Sequence, residues 1–394
     1  MKYEIIIIGA GHSGGMAAIS LRQKKFNGSI LIIGDENYFP YQKPALSKGF
    51  LTNQTSESSL MLKSDSFYER NNIELMINSK VVAIDRADKS LELNDNSQIF
   101  YNKLIIATGS KMNQINNVTS VEGVHYLRTI KDSLIIKEEL DRKKSIGIIG
   151  SGYIGLEIAS IARKKNLDVT VFEIENRIMS RVACKKISKF FQLKHQSKGV
   201  NFILNKSIID IKDKDNKKRI IGDDGKIFDL DMIIVGIGVQ PDISLAQDSG
   251  LKCKNGITVD EYCLTSDTNI FAIGDCTNHM NNFYKTKLRL ESVQNAVGQA
   301  KTIASYLSGE KKPYKEVPWF WSEQYDLKLQ IVGINNNFDQ RILKGSLADE
   351  KFSMFYLKKN KLISIYSINS PKDFLAGRKI IERGGDASIY LNKN

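Results

Sequence analysis

The sequence predicts an α/β protein in which one α/β unit occurs twice and is followed by a smaller α+β unit. Two loops of the pattern G-x-G-x-x-G, at residues 9–14 and 150–155, each follow a short apolar strand and precede a helix-like segment. About 20 residues after each loop, as this fingerprint requires, an acidic residue ends the next apolar strand: Asp35 in the first unit and Glu173 in the second. Because the same elements recur in the same order, the sequence indicates an internal duplication.

The three glycines of each loop meet three different steric demands. The first makes the tight turn out of the strand, the second lets the backbone approach a pyrophosphate, and the third lets the helix pack close to the strand. Phosphates would lie at the helix N-terminus, where unpaired N–H groups and the helix dipole favour an anion. The sequence therefore predicts two Rossmann-like dinucleotide-binding domains. The loop residues assigned to binding are Gly9, Gly11, Ser13, Gly14, Gly150, Gly152, Tyr153, Ile154 and Gly155.

The order of the remaining segments predicts that the second unit is inserted into the first. Each unit contains an antiparallel excursion, with turns at residues 94–96 and 223–225, and a closing strand that ends in Gly109 or Gly238. A further apolar strand ending at residues 274–275 then returns to the first unit, and a helix follows it. The predicted domains are 1–112 with 239–312 for the first unit, 113–238 for the second, and 313–394 for the C-terminal α+β unit.

Composition excludes several classes of protein. The chain has 394 residues, of which 42% are hydrophobic, and this is enough for two or three domains with cores. It contains no apolar stretch of the about 18 residues that a membrane-spanning helix needs, and its first residues run directly into a strand without a signal peptide. The four cysteines form no C-x-x-C pair. This predicts isolated reduced thiols, no metal site and a cytoplasmic location.

The net charge of +13 has two candidate origins, a compositional bias on a solvated surface or a functional feature, and composition leaves both open. The segment 285–315 carries seven basic residues against two acidic ones, Glu291 and Glu310, so its local charge is +5. Such a face favours docking of an acidic partner. We find no basic stripe interleaved with aromatic residues, so nucleic acid is not a predicted partner. The oligomeric state is not predicted.

Several longer motifs make the chain similar to a known family. They lie at residues 9–14, 40–48 (PYQKPALSK), 107–109, 150–157, 236–241, 273–275, 291–293 and 318–322 (PWFWS). Over nearly its whole length the chain resembles the FAD-dependent, NADH-using ferredoxin reductases that serve bacterial oxygenases, the putidaredoxin reductase type. The other motifs are shared by glutathione-reductase-like flavoproteins in general, whereas the segments at 46–48 and 318–322 are typical of this family.

The resemblance implies that FAD binds the first unit and NADH the second. Asp35 would bind the adenosine ribose of FAD, Lys48 would reach the flavin ring region, and Asp275 would hold the ribityl chain. Val81 and Arg128 would line the FAD site. The helix beginning near Ser292 would direct its N-terminus at the flavin, where positive potential stabilises the reduced ring. The other residues assigned to cofactor binding are Lys43, Ala107, Thr108, Gly109, Gly238, Gly274, Glu291, Ser292, Val293 and Trp321.

Lys48 and Glu157 are the predicted catalytic pair beside the flavin. Glu157 follows the third glycine of the second loop, and an ion pair there could relocate charge as the flavin is reduced. An ordinary exposed helix glutamate fits the same position, so the sequence leaves both interpretations open. Glu173 favours NADH because a carboxylate repels the 2′-phosphate of NADPH. Arg177 lies four residues further on, so the discrimination is expected to be incomplete.

Two departures from the family pattern concern the flavin-edge loop. The family's usual Arg before Pro44 is Lys43 here, and its usual second Pro is Ala45. The loop is therefore expected to be less rigid and to lack a bidentate contact. The reaction class should not change.

The expected function is electron transfer from NADH through FAD to a two-iron two-sulfur ferredoxin. Residues 1–183 contain no cysteine, so the flavin-proximal disulfide of related reductases is missing and electrons must leave from the flavin itself. The alternatives are an NADH reductase for rubredoxin, a small molecule or oxygen, and an NADH-switched flavoprotein with mainly a binding role. The docking candidates for an acidic ferredoxin are Arg289, Lys301 and Trp321.

Overall fold

The computed structural model describes residues 1–115, 121–387 and 390, and its α/β architecture confirms the predicted fold class. The first unit contains β1 (Lys2–Ile8), α1 (His12–Gln23), β2 (Ile30–Ile33), α2 (Glu57–Leu60), α3 (Asp65–Arg70), β3 (Ile73–Met76), β4 (Val81–Asp85), β5 (Ser90–Leu93), β6 (Gln98–Ile106) and β7 (Ser110–Met112). A short 3₁₀ turn, Lys43–Ser47, follows β2.

The second unit repeats the strand–loop–helix order. Its elements are β8 (Val124–Tyr126), α4 (Ile130–Arg142), β9 (Ser145–Ile149), α5 (Tyr153–Lys164), β10 (Asp168–Phe172), α6 (Lys185–Ser197), β11 (Val200–Ile203), β12 (Ile208–Lys214), β13 (Lys217–Gly222), β14 (Ile227–Leu230) and β15 (Met232–Val235). β16 (Val239–Pro241) follows as the chain leaves this unit. The turns at 94–96 and 223–225 connect β5 to β6 and β13 to β14, as the sequence predicts.

The chain then returns to the first sheet before the C-terminal unit begins. The remaining elements are α7 (Ser244–Asp248), β17 (Ile257–Val259), β18 (Ile270–Ala272), a 3₁₀ turn (Gly274–Cys276), β19 (Thr277–Asn281), β20 (Thr286–Leu288), α8 (Val293–Leu307), β21 (Trp319–Gln324), β22 (Leu327–Gly333), β23 (Gln340–Ser346), β24 (Lys351–Lys358), β25 (Lys361–Ile368) and α9 (Pro371–Glu382).

Three large sheets organise these elements. The first has the order β3-β2-β1-β6-β5-β4, with β18 parallel to the C-terminal half of β6. The second is parallel, with the order β11-β10-β9-β15-β8, and the third is antiparallel, with the order β21-β22-β25-β24-β23. The central strands of the first two sheets are largely apolar because both of their faces are buried. Residues of β12–β14, including Ile220 and Leu230, cover one face of the second sheet. β7 pairs with β16 where the chain passes between the first and second sheets.

The predicted domain ranges remain predictions. Parts of them, residues 116–120, 388–389 and 391–394, lie outside the described residues. Among the helices of the described residues, none combines the length and apolarity needed to cross a membrane.

Both glycine-rich loops have the same backbone geometry. Gly9 has φ +110° and Gly150 has φ +99°, and a Cβ on either would lie 2.4 Å from a carbonyl oxygen of the neighbouring strand end. A Cβ on Gly14 or Gly155 would lie 2.0 or 2.3 Å from the carbonyl oxygen of the first glycine of its own loop. The spacing of the glycines is therefore a steric requirement of the strand–helix turn in both units.

This geometry predicts a difference between two glycines of one loop. Gly155→Ala is expected to lower the free energy of unfolding by roughly 1–3 kcal/mol, because its Cβ overlaps the carbonyl oxygen of Gly150. Gly152→Ala is the matched control, since a Cβ there meets no atom within 4 Å. Chemical unfolding followed by circular dichroism measures both. Equal destabilisation by the two substitutions would contradict the steric explanation.

Candidate cofactor-binding and electron-transfer site

The first loop is bordered by acidic and basic side chains. Asp35 follows β2 and is exposed, in keeping with its predicted ribose contact. Lys43 donates to Glu36 at 2.9 Å and to the Tyr41 hydroxyl at 3.0 Å, and its Cε lies 3.9 Å from the point where a Cβ on Gly11 would be. Burial lowers the pKa of Lys43, and the Glu36 carboxylate opposes this shift. Lys43 thus places a single cationic head beside the loop.

A second group of predicted residues meets at the ends of β6 and β18. Gly109 has φ +73°, and a Cβ on it would lie 3.2 Å from Nη2 of Arg128. Asp275 accepts a hydrogen bond from the Ser110 hydroxyl at 3.3 Å. Burial raises the pKa of Asp275, whereas Arg128 opposes that rise. The structure therefore brings Gly109, Arg128 and Asp275 to one edge of the first sheet.

The N-terminus of α8 is fixed to the same edge. Ser292 caps the helix by accepting a hydrogen bond from the backbone N–H of Asn295 at 3.2 Å. The Gln299 side chain accepts one from the N–H of Gly274 at 2.7 Å, and Asn295 donates to the carbonyl of Leu290 at 3.2 Å. The sequence analysis did not identify Asn295 and Gln299 as site residues. They are four residues apart on one helix, and core residues of a helix have the same spacing. Together they hold the positive end of the helix dipole near Asp275.

Lys48 and Glu157 form an ion pair, and the burial of Glu157 excludes an ordinary exposed helix glutamate. Their Nζ and Oε2 atoms are 2.8 Å apart, and Glu157 is 2% exposed. Oε2 also accepts from the Ser47 hydroxyl at 2.5 Å. Oε1 accepts from the Ser322 hydroxyl at 2.7 Å and from the backbone N–H of Glu323 at 3.3 Å. Residues 47–48 and 322–323 therefore converge on one carboxylate of a third segment, α5. The catalytic role of the pair stays a prediction.

The second loop carries its acidic residue at the predicted place. Glu173 accepts hydrogen bonds from the backbone N–H of Ser151 at 2.9 Å and from the Ser151 hydroxyl. The guanidinium of Arg177 donates instead to the carbonyls of Ala183 and Ser180, at 2.8 and 2.6 Å. Arg177 is thus directed at backbone oxygens, so the expected loss of NADH selectivity through this residue has no support in the geometry.

The aromatic residue of the second loop contacts the C-terminal unit. The ring of Tyr153 lies 4.8 Å from that of Phe320, centroid to centroid, and burial raises the pKa of Tyr153 well above its usual value. Ile154, the next residue, is exposed. Gly152 faces open space, which is what the approach of a pyrophosphate requires. The residues present in both loops therefore fit a dinucleotide.

Three other residues predicted to bind a cofactor, Val81, Thr108 and Gly238, differ from one another in their surroundings. Val81 is buried among apolar residues of the first sheet, so a cofactor contact there would have to come from its backbone. The Thr108 hydroxyl donates to the carbonyl of Asp242 at 2.6 Å. Gly238 has φ +101°, and a Cβ on it would lie 3.3 Å from Arg181. Their roles in binding stay predictions.

The two basic residues predicted for docking differ in whether an acidic side chain of the protein neutralises their charge. Lys301 is exposed on α8. Arg289 is ion-paired with Glu291 and also donates to Asn255 at 3.2 Å, so its charge is balanced within the chain. Trp321 is half-buried, with its ring 5.7 Å from that of Trp319. Lys301 is therefore the stronger candidate for steering an acidic partner.

The cysteines are dispersed thiols. Cys184, Cys253, Cys263 and Cys276 are free, and the last two are buried. Burial raises the pKa of Cys276 to about 11 and that of Cys263 well above its usual value. Within residues 1–115, 121–387 and 390, no three His, Cys, Asp or Glu side chains are close enough to hold a metal ion.

Comparisons with known proteins agree with this geometry. The pyridine nucleotide-disulphide oxidoreductase model matches residues 3–300, and the reductase C-terminal model matches residues 319–390. Rhodocoxin reductase of Rhodococcus erythropolis is 41% identical over 381 residues, covering 96% of this chain and 89% of the relative.

Two solved structures are similar throughout. The ferredoxin reductase for the CYP199A2 system of Rhodopseudomonas palustris aligns with a TM-score of 0.93 at 40% identity, covering 97% of this chain and 95% of that one. The covalent putidaredoxin reductase–putidaredoxin complex gives the same TM-score at 33% identity, with 96% and 93% coverage.

The raised thiol pKa values predict low reactivity of the buried cysteines. Near neutral pH, where the thiolate is the reacting form, iodoacetamide should label Cys263 and Cys276 only after denaturation. Cys184, which is partly exposed, serves as the internal control for labelling of the native protein. Peptide mass spectrometry measures the modified fraction of each thiol. Rapid labelling of Cys276 in the native protein would show that its surroundings are more open than the structure indicates.

Proposed function

The chain belongs to the pyridine nucleotide-disulphide oxidoreductase family, and we propose that it is an NADH-dependent reductase that passes electrons through FAD to a two-iron two-sulfur ferredoxin serving an oxygenase. FAD binds the first unit and NADH the second. One observation carries the proposal: a buried Lys48–Glu157 pair joins the segment after the first loop to the helix that follows the second loop.

The chain's own residues hold and orient the two dinucleotides. Lys43, Arg128 and Asp275 border the FAD site, and the N-terminus of α8 adds positive potential there. Bound FAD would accept a hydride, which carries two electrons, and would release the electrons one at a time. Lys48 presents its ammonium beside the flavin site, while Glu157 fixes the direction of that ammonium.

The proposed acceptor is a ferredoxin, because the sequence offers no flavin-proximal disulfide and a solved structure similar to this chain throughout is a ferredoxin reductase. Residues 1–183 contain no cysteine, so no flavin-proximal thiol takes electrons from the first unit. A structurally similar reductase forms its complex with putidaredoxin. Lys301 on α8 supplies an exposed charge for an acidic partner. Four free thiols are consistent with a reducing compartment, and we place the protein in the cytoplasm on that basis.

The direct test is anaerobic reduction of the yellow protein by NADH, followed by mixing with an acidic two-iron two-sulfur ferredoxin or with rubredoxin. Ferredoxin should be reduced, and Lys301→Glu should raise its KM and weaken its salt dependence. Steering acts on association rate and is screened over roughly 8 Å at physiological ionic strength. NADH reduction of a small dye should be unchanged.

The matched control for docking is Lys214→Glu, the same change of charge at an exposed position on β12. It should leave ferredoxin kinetics as in the wild type. If Lys301→Glu has no effect at low salt, the basic segment is compositional surface charge. Efficient reduction of rubredoxin without reduction of ferredoxin would replace the proposed acceptor.

NADH selectivity should depend on Glu173. Glu173→Ala removes the carboxylate beside the second loop, and the ratio of kcat/KM for NADH over NADPH should fall about tenfold, because repulsion of the 2′-phosphate is lost. Glu175→Ala is the control, since Glu175 is an exposed acid two residues away. Steady-state kinetics with each nucleotide give the ratio. An unchanged ratio in Glu173→Ala would mean that another residue reads the ribose.

A further inference from the structure

One face of β21 contacts the second unit through three alternate side chains. Phe320 stacks on Tyr153. Ser322 donates to Glu157, and Gln324 lies 2.9 Å from His195 through Oε1 and Nε2. Alternate residues of a strand lie on the same face, so this pattern follows from the strand itself.

These contacts form a hydrogen-bond chain with a single direction. Ser322 donates its only hydrogen to Glu157, so it must accept from the Gln324 amide at 3.2 Å. The Gln324 oxygen then accepts from Nε2 of His195, which leaves Nδ1 to accept from the Tyr325 hydroxyl at 3.2 Å. Burial lowers the pKa of His195 to about 4, in agreement with a neutral ring. Each donor in this series of hydrogen bonds therefore points along it toward Glu157.

The Ser322 hydrogen bond is hard to replace. Both oxygens of the Glu157 carboxylate are used, Oε2 by Lys48 and Ser47, and Oε1 by Ser322 and the Glu323 N–H. Without the Ser322 hydroxyl, Oε1 retains only the 3.3 Å contact with the Glu323 N–H. Since Glu157 is 2% exposed, solvent has little access to compensate.

We propose that Ser322, Gln324 and His195 are positioning residues that hold the Glu157 carboxylate against Lys48. The inference rests on the proposed function, because it assigns these residues to the same flavin-edge pair. Trp321, the predicted docking tryptophan, lies between Ser322 and Phe320 on the same strand. The strand that carries the predicted docking residue therefore also fixes the ion pair.

The test is a double-mutant cycle between Ser322→Ala and Lys48→Gln in the holoenzyme. Two quantities are measured: the midpoint potential of bound FAD, from anaerobic titration against reference dyes, and the rate constant for reduction by NADH. With Lys48 present, Ser322→Ala should shift the potential and slow reduction about tenfold, the order expected for a lost hydrogen bond to a charged group. In the Lys48→Gln variant, Ser322→Ala should change neither the FAD potential nor the reduction rate constant by more than the error between repeat measurements.

Two further variants separate positioning from packing. Ser364→Ala is the control, because Ser364 is also buried in the third sheet but donates to the Val332 carbonyl at 2.9 Å. It should change neither quantity. Gln324→Met removes the donor to Ser322 at similar side-chain volume, and should give a smaller shift in the same direction as Ser322→Ala. It also serves as the primary variant if Ser322→Ala does not fold.

Two outcomes would overturn the proposal. One is that Ser322→Ala leaves the midpoint potential of FAD unchanged. The other is that Ser322→Ala shifts this potential equally in the wild-type protein and in the Lys48→Gln variant. The potential is measured chemically and needs neither NADH nor ferredoxin. Failure to reduce ferredoxin would therefore count against the proposed function and leave this test intact.

Discussion

The buried carboxylate of Glu157 is the constraint that joins the first, second and C-terminal units. An ionised group removed from water must be paired and hydrogen-bonded, since an uncompensated buried charge costs several kcal/mol. Lys48, Ser47 and Ser322 meet this demand from two different segments, while Glu157 itself comes from α5. Displacing either partner segment would leave one oxygen of the buried carboxylate without its hydrogen bonds. The relative positions of the 3₁₀ turn after β2, α5 and β21 are therefore coupled through one side chain.

The same arrangement explains why two copies of one unit do not serve identical roles. Both loops use glycines in the same steric way, and each is followed by a helix whose N-terminus is suited to bind a phosphate. Their surroundings differ. The first loop is bordered by Lys43 and faces the edge that holds Asp275 and α8, whereas Tyr153 of the second loop packs against Phe320 of the C-terminal unit. The two copies of one α/β unit thus differ in the residues that pack against their loops.

Sequence patterns predicted the elements that depend on local physics. Loop glycines, hairpin turns and apolar strands each require particular residues at fixed spacing, so β1, β9 and the turn at 223–225 could be located directly. Contacts between distant segments have no such spacing. The hydrogen bonds from Ser322 to Glu157 and from the Gly274 N–H to Gln299 join residues 165 and 25 positions apart. The Arg289–Glu291 pair shows a different limit, because counting charges does not reveal which of them neutralise each other.

The pairing of β18 with β6 has a consequence for how the chain acquires its structure during synthesis. Leu104, Ile105 and Ile106 on β6 meet Ile270, Phe271 and Ala272, which a ribosome adds only after the whole second sheet has been translated. Until then the nascent chain carries an apolar strand edge without its partner, and such edges favour association with other chains. Closing this loop also makes a non-local contact that slows folding. The interval between translation of β6 and of β18 is therefore the period in which the newborn protein is most exposed to misassembly.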